Sequence, residues 1–263
     1  MTANKHPKTI RTKEDRSRLR RNIIGAILLF TLLGSIVFVV VNIFTAPSVP
    51  PADDPYAKVK SDYTLMLVQC ILACVVMFVP TILHKKWSVE IPNYMYIMYY
   101  VFLYCAVYLG EVRSFYYTVA RWDVMLHTFS GAMLGALGFS LVSLLNEDKR
   151  VPMEMSPFFI ALFAFCFALA CGVVWEIYEF TLDGIMQLNM QKYALQDGTL
   201  IVGRAALLDT MEDLIVDTLG ALAVCVVGYI SLKKSRARKK KAEAEEKNER
   251  DLPLDEVRGT VVN

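Results

Sequence analysis

The sequence predicts an all-α, polytopic membrane protein with six transmembrane helices and both termini in the cytoplasm. Composition gives the first reason: 55% of the 263 residues are hydrophobic and the mean hydropathy is +0.40, which is too apolar for an ordinary soluble domain. The second reason is that the apolar residues are grouped in blocks of about 20, the length that crosses a bilayer as a helix. The third is the placement of lysine and arginine, which sets the orientation of the helices.

Six apolar blocks give the spans in chain order. They cover residues 23–44, 63–83, 92–109, 124–145, 157–180 and 211–232, and the third is the shortest. The first block is longer than the apolar core of a cleaved signal peptide, so we expect it to remain as an anchor. The spans together predict one membrane domain, residues 23–232.

Basic residues are concentrated at four places in the chain. They precede the first span in residues 1–22, follow the last span in residues 233–241, and occur in the loops after the second and fourth spans. Basic segments stay on the cytoplasmic side, so both termini and these two loops are predicted to lie inside. Anionic lipid, rather than nucleic acid, is the expected partner of these segments. The charged tail, residues 233–263, is predicted to be disordered, with a helix at its start as the alternative.

Two further features concern the loops and the cysteines. The loop of residues 181–210 mixes apolar and polar positions, and we expect a short interfacial helix around residues 184–193. All six cysteines fall inside predicted spans, where packing is the expected role and a disulfide framework is not.

Acidic residues and one histidine gather at the outer ends of the last three spans. The fourth span opens with "WDVMLH", the fifth closes with "WEIYEF", and the sixth opens with "DTMEDLIVD". Helical spacing places the members of each segment on one face. The residues concerned are Asp123 and His127, then Glu176 and Glu179, then Asp209, Asp213 and Asp217. The topology argument used only basic residues, so this agreement in level is independent support for it.

Small residues continue the same helix faces inward. Gly131 and Gly135 follow His127 at intervals of four, and Gly172 precedes Glu176 by four. Ala221 follows Asp217 by four. Small residues allow membrane helices to approach closely, so spans four, five and six are predicted to pack along their acidic faces.

Carboxylates at membrane depth need protons, basic partners, water or a bound cation, because each costs at least about 2.5 kcal/mol there. A divalent cation would satisfy several at once. A histidine with carboxylates suits zinc or manganese, with iron a further candidate, whereas oxygen ligands alone suit magnesium or calcium. We assign His127, Asp213, Asp217 and Glu176 as metal ligands. Glu176 is also a candidate general base, and Asp123 and Glu179 would support catalysis by orienting the ligands.

Simpler explanations exist for several of these residues. The Asp123–His127 pair could be an interfacial helix cap, and Glu179 and Asp209 could be solvated at a loop edge. Asp183 is expected to be solvated. The nearby tryptophans and tyrosines suggest an interfacial aromatic belt. Basic partners outside the spans are also available: Arg113, Arg121 and Arg204.

The segments "WDVMLHTFSGAMLG", "WEIYEF" and "GRAALLDTMEDLIVDTLGA" resemble the YjdF-like family of bacterial inner-membrane proteins, within the VanZ-like group. The resemblance covers about the second half of the chain. Some members carry Arg directly after the first Asp, where this chain has Val124. The resemblance implies a multi-span protein of the bacterial cell membrane and a connection with the cell envelope, without an established reaction.

Three functions are compatible with these observations. The leading one is a metal-dependent hydrolase or transferase with an outward-facing site, acting on an envelope or lipid-linked substrate. The second is a proton- or divalent-cation-coupled transporter, which would need polar residues through to the cytoplasmic end. The third is a non-catalytic scaffold in which the acids only fix helix packing. The sequence leaves the substrate, the metal and the oligomeric state open.

Overall fold

The chain folds into long helices, and a computed structural model describes residues 13–54, 57–87, 91–147, 155–195 and 198–250. The α-helices are α1 (Lys13–Thr45), α2 (Lys60–Val76), α3 (Val79–Trp87), α4 (Asn93–Leu103), α5 (Phe115–Thr118), α6 (Trp122–Glu147), α7 (Pro157–Met186) and α8 (Leu208–Arg250). A π-helix, Tyr104–Val112, continues α4, and a 3₁₀ turn, Gly203–Leu207, precedes α8. Among the described residues the only extended pairing is an isolated bridge between Ala194 and Leu200.

Six helical segments in the described part of the chain are long and apolar enough to cross a membrane. Their order follows the six predicted spans, with α2 and α3 together forming the second and α4 with the π-helix forming the third. Large apolar side chains such as Phe30, Phe44 and Phe180 point outward and are more than two-thirds exposed. Outward apolar side chains are expected where lipid is the solvent. The all-α fold class is therefore confirmed.

The six spans form two groups of three. The first group packs α1 against α2 and α4, around a buried core that includes Leu28, Leu32 and Cys70. The second group packs α6, α7 and α8 against one another, with the most extensive helix–helix contacts among the described residues. The predicted association of spans four, five and six is thus present.

The second span is interrupted at a proline. Pro80 has no N–H to donate to the carbonyl four residues earlier, so α2 ends at Val76 and α3 begins at Val79. The freed carbonyl of Val76 accepts a hydrogen bond from Tyr99 Oη at 2.8 Å, and the carbonyl of Pro80 accepts one from Tyr96 Oη at 3.1 Å. The bond from Tyr99 satisfies the carbonyl that Pro80 deprives of its helical donor, which is needed at membrane depth.

The third span ends as a π-helix rather than an α-helix. Its last bond, from Arg113 N to Tyr108 O at 2.9 Å, spans five residues. The wider turn brings Glu111 to the wall of a cavity described below. Gly110 lies against the ring of Tyr116, and a side chain there would overlap that ring. Such π-turns are often found beside functional sites.

The loop between α7 and α8 differs from the prediction of a helix around residues 184–193. Residues 184–186 belong to the last turn of α7, and the chain then turns at Gln187, whose φ is 54°. Residues 188–193 are non-helical: the backbone N–H groups of Met190 and Gln191 donate to Asp183, and the Asn189 side chain binds the backbone of Ala194. The prediction of an interfacial helix there was wrong for this stretch.

The C-terminal helix continues well beyond its membrane span. α8 runs through the basic segment to Arg250, and Arg236 Nη2 donates to the carbonyl of Met155 at 2.6 Å. The predicted domain limits and the disorder of the tail stay predictions, and residues 1–12 and 251–263 lie outside the described residues.

Candidate functional site

The close packing of α6, α7 and α8 brings the residues of the site together. A Cβ placed on Gly131 of α6 would lie 2.8 Å from Asp217 Cα of α8, and one on Gly172 of α7 would lie 3.0 Å from Asp217 Oδ2. Neither position has room for a side chain without movement. The two glycines therefore let α6 and α7 approach the turn of α8 that carries Asp217.

His127 lies at the centre of the acidic residues. Its Nε2 is 3.7 Å from Asp123 Oδ1 and 3.8 Å from Asp213 Oδ2. One ligand atom from each of these residues lies within 4.8 Å of the other two, so the group could hold a metal ion. His127 is 9% exposed and Asp213 3% exposed. The acidic faces of α6 and α8 therefore meet at one point.

The other ring nitrogen of His127, Nδ1, contacts Asp217. His127 Nδ1 is 3.3 Å from Asp217 Oδ2, and Ser130 Oγ donates to Asp217 Oδ1 at 2.8 Å. An ionised Asp217 accepts from Nδ1–H, which leaves Nε2, between Asp123 and Asp213, as the nitrogen that could bind either a proton or a metal ion. A histidine whose second nitrogen binds a carboxylate is the usual arrangement of a metal-bound histidine.

The two separations from His127 Nε2 are close to those between ligands of a small cation. Nitrogen and oxygen ligands lie about 2.0–2.2 Å from zinc, which separates two tetrahedral ligands by roughly 3.4 Å. The observed separations of 3.7 and 3.8 Å from Nε2 need only a small contraction.

Lys192, in the loop between α7 and α8, supplies the positive charge beside these acids. Its Nζ binds Asp123 Oδ2 and lies 2.8 Å from Asp209 Oδ1. Burial alone would lower the pKa of Lys192, but the two carboxylates outweigh it and hold the pKa above the ordinary lysine value. Asp123 therefore directs one oxygen to His127 and the other to Lys192. Arg113, Arg121 and Arg204, which the sequence suggested as partners, are exposed.

Glu176 and Glu179 are buried on α7 beside this group. Glu179 Oε1 accepts from Trp175 Nε1 at 2.9 Å. Glu176 Oε2 receives a long contact of 3.5 Å from Gln191 Nε2, and Glu176 Oε1 is buried with no hydrogen-bond partner among the described residues. A buried carboxylate oxygen without a partner needs a proton or a cation. Glu179 is thus not the solvated loop-edge residue that the simpler explanation suggested.

Asp183 was expected to be solvated, and that expectation was wrong. The residue is 5% exposed, and its two carboxylate oxygens accept from the backbone nitrogens of Met190 and Gln191 at 2.8 and 3.0 Å. This clamp fixes the backbone directly before Lys192. Asp183 is therefore a positioning residue for the loop.

A cavity of about 370 Å³ opens beside His127 and runs between the two groups of helices. Asp123, His127, Asp217, Glu179 and Lys192 line one part of it. Side chains from the second span, the third span and α6 line much of the rest and are mostly apolar. Trp175 also lines the cavity.

Two charged residues of this region were absent from the predicted set. Lys192 belongs to a loop that reads as a mixture of polar and apolar residues, and nothing in its spacing points to the acids. Glu111 lies just after the predicted third span, and only the π-helix turns it towards the cavity. The one sequence feature that could have pointed to Glu111 is its position as an acidic residue at the end of a predicted span.

The sequence was also compared with known proteins. Residues 26–234 match the family model described as "Predicted membrane protein (DUF2238)". The chain belongs to the DUF2238 family. This match covers most of the first span, the apolar parts of the other five and every residue of the site, and the YjdF-like resemblance is compatible with it.

A protein of Thermotoga maritima is similar to part of the chain. An uncharacterized protein of Thermotoga maritima is 30% identical over 152 residues, which cover 58% of this chain and 70% of that protein. No solved structure matches the chain.

Proposed function

We propose that this protein is a metal-dependent hydrolase or transferase of the bacterial cell membrane, with its site at the outer face and an envelope or lipid-linked substrate. The observation that carries the proposal is the held orientation of His127. Asp217 binds Nδ1, so Nε2 faces Asp123 and Asp213. The separations between Nε2 and their oxygens are close to those between two ligands of one metal ion. A packing role alone would not require an imidazole oriented in this way among carboxylates.

The ligand set that we propose differs in part from the sequence-based one. His127 and Asp213 remain ligands, and Asp123 joins them. Asp217 acts on the metal through His127, since its oxygens face Nδ1 and Ser130. Glu176 stays a candidate ligand or base because Oε1 has no partner among the described residues. Zinc or manganese suits one nitrogen with carboxylate oxygens.

The residues around the group have separate tasks in this proposal. A bound divalent cation would polarise a carbonyl or phosphoryl oxygen and favour ionisation of a water. Glu179 lines the cavity and has one oxygen committed to Trp175, so the other is placed to take a proton from an attacking water. Lys192 faces the same cavity, and its ion pairs with Asp123 and Asp209 would hold Asp123 in position as a ligand.

Metal content of purified protein tests this proposal. We expect about one zinc or manganese per chain in the wild type, and none above background in His127→Ala and Asp213→Asn. Glu212→Gln is the matched control, since Glu212 precedes Asp213 on the same helix and is absent from the group around His127. Equal and negligible metal in all four proteins would overturn the proposal.

Transport receives less support from the same residues. A path for ions would need polar groups at the far end of the cavity, and the described lining there consists of side chains such as Val76, Phe102 and Leu134. A scaffold role does not account for the buried oxygen of Glu176 that has no hydrogen-bond partner among the described residues. Asp213→Asn separates these functions, because a scaffold should keep its cellular function when the variant still assembles.

The orientation belongs to the proposal as well. The basic residues of the N-terminal segment and of α8 favour the cytoplasm for both termini, which places the Asp123–His127 end of α6 at the outer surface. The Thermotoga relative agrees with a bacterial cell membrane.

A further inference from the structure

We propose that the cavity binds the single hydrocarbon chain of an amphiphile whose ester group, carboxylic or phosphoric, lies beside His127. This inference rests on the proposed function, because it names the class of substrate for that site.

The lining changes from polar to apolar along two antiparallel helices. On α6 the lining residues begin with Asp123 and His127, continue with Ser130 and end with Met133 and Leu134. The same change occurs along the third span, where Glu111 lies at one end and Phe102 and Tyr99 at the other. One charged end and one hydrocarbon end therefore belong to the same cavity.

Contacts between the two helices show that their apolar ends coincide in depth. Trp122 Nε1 donates to the carbonyl of Cys105 at 3.3 Å, and the rings of Phe129 and Phe102 stack with centroids 6.0 Å apart. This antiparallel register brings Tyr99 close to the depth of Met133. The charged and apolar ends of the two walls thus face each other.

The second span closes the apolar end. Leu72, Ala73 and Val76 line it together with Tyr99, whose hydroxyl is already bound to the Val76 carbonyl. Gln69 is the polar residue of this wall, and its amide nitrogen contacts Met190 Sδ at 3.9 Å. Polar groups in this part of the described lining are therefore largely occupied, which suits a hydrocarbon chain better than an ion.

Length and volume limit the occupant to one chain. From Asp123 to Leu134 the helix rises by about 16 Å. The hydrocarbon thickness of one leaflet is about half of 30 Å, or roughly 15 Å. The volume of about 370 Å³ is near the lower end of small-molecule pockets, about 300–1,000 Å³. A chain that spans one leaflet fits this depth, whereas a second chain would have to remain in the surrounding lipid.

Photolabelling tests the inference directly. The purified protein in nanodiscs is exposed to a lysophospholipid with a diazirine near the end of its single chain, and labelled peptides are mapped by mass spectrometry. We expect labels on the peptides containing Leu72, Phe102 and Leu134, and competition by unlabelled lysophospholipid but not by the two-chain phospholipid of the same head group. Labels spread evenly over lipid-facing peptides would overturn the inference.

Variants that fill the apolar end provide the matched comparison. Ala106→Phe places a ring in the cavity, and Ala170→Phe makes the same change at an exposed position of α7. We expect at least a tenfold loss of labelling at the cavity peptides for Ala106→Phe and no loss for Ala170→Phe. Leu72→Trp, on another span, replaces Ala106→Phe if that protein does not assemble. Equal labelling of the filled and control variants would contradict the inference.

Metal content of the same samples keeps the two proposals distinguishable. Cavity labelling without bound metal would refute the proposed metal chemistry and leave the chain-binding cavity in place. Bound metal with unspecific labelling would refute the cavity and leave the metal site.

Discussion

At the scale of single residues, His127 and its acidic neighbours are held by charged side chains from three segments: α6, α8 and the loop between α7 and α8. Asp217 binds Nδ1, Asp123 and Asp213 face Nε2, and Lys192 neutralises the far oxygen of Asp123. Carboxylates that would repel one another in a membrane are thereby separated by an imidazole and an ammonium group. The arrangement therefore allows the acidic residues to lie on helices that pack closely together.

The first prediction concerns Asp217, whose role differs from that of Asp213. Asp217→Asn replaces an oxygen that accepts from Nδ1 with an amide that can also donate, so the imidazole loses its fixed orientation. Loss of such a partner lowers metal affinity by about 10–100-fold. Competition with a fluorescent chelator should show this decrease, while Asp213→Asn abolishes binding and Glu212→Gln retains it. Equal loss in Asp217→Asn and Asp213→Asn would indicate that Asp217 is itself a ligand.

The second prediction concerns Lys192. Lys192→Met leaves Asp123 and Asp209 without their cation, and we expect a loss of about 1–3 kcal/mol, seen as a lower melting temperature in detergent. Lys60→Met, at an exposed position beside the start of α2, is the control and should change little. An unchanged melting temperature for Lys192→Met would show that the ion pair is not important for stability.

The pH dependence of this effect follows from the raised pKa of Lys192. A lysine with a raised pKa in the folded protein stabilises it fully below the unfolded value, about 10.4, and loses this effect as the pH rises through the folded value. The difference in melting temperature between wild type and Lys192→Met should therefore stay constant between about pH 7 and 9. A difference that disappears within that range would contradict a charged Lys192.

At the scale of helices, the site depends on glycines that bring backbones together. Gly131 faces the Asp217 backbone, and Gly138, two turns further along α6, would place a Cβ 2.8 Å from Ala164 Cα. Gly34 of α1, by contrast, is exposed and would meet nothing within 4 Å. The helices of the second group are therefore packed at backbone distance where the site needs them.

The third prediction compares two of these glycines. Gly131→Ala must push α8 away from α6, which moves Asp217 from His127, so both the melting temperature and the metal affinity should fall. Gly34→Ala has room and gains about 1 kcal/mol of helix propensity, so its stability should be equal or higher. Two variants with the same stability and the same metal content would show that close approach at Gly131 is not required.

The helix level is also where sequence reasoning succeeded most and then reached its limit. Apolar length gave the six spans, and spacing by four gave the acidic faces and the glycine positions that now lie at the interfaces. Spacing within a helix carries no information on partners from a loop, so Lys192 and the burial of Asp183 were missed. The wider turn that aims Glu111 depends on tertiary packing around Gly110 and Tyr116.

At the scale of the whole molecule, the two groups of three helices have different tasks. The first group contributes apolar walls and two polar side chains, Glu111 and Gln69, to the cavity. The second group contributes the histidine and most of the acidic residues. The cavity lies between them, so its chemistry depends on which side of the membrane the charged end faces. Orientation is therefore the property that joins the fold to the proposed substrate.

The fourth prediction tests that orientation with single cysteines in a background where the six native cysteines are replaced. Ala52→Cys lies in the exposed loop between α1 and α2, and Ala242→Cys lies on the exposed tail part of α8. A membrane-impermeant maleimide should label Ala52→Cys in intact cells and Ala242→Cys only after lysis, because basic segments stay inside. Labelling of Ala242→Cys alone in intact cells would show that the protein has the opposite orientation in the membrane. The cavity would then open to the cytoplasmic leaflet, and its amphiphile would have to come from there.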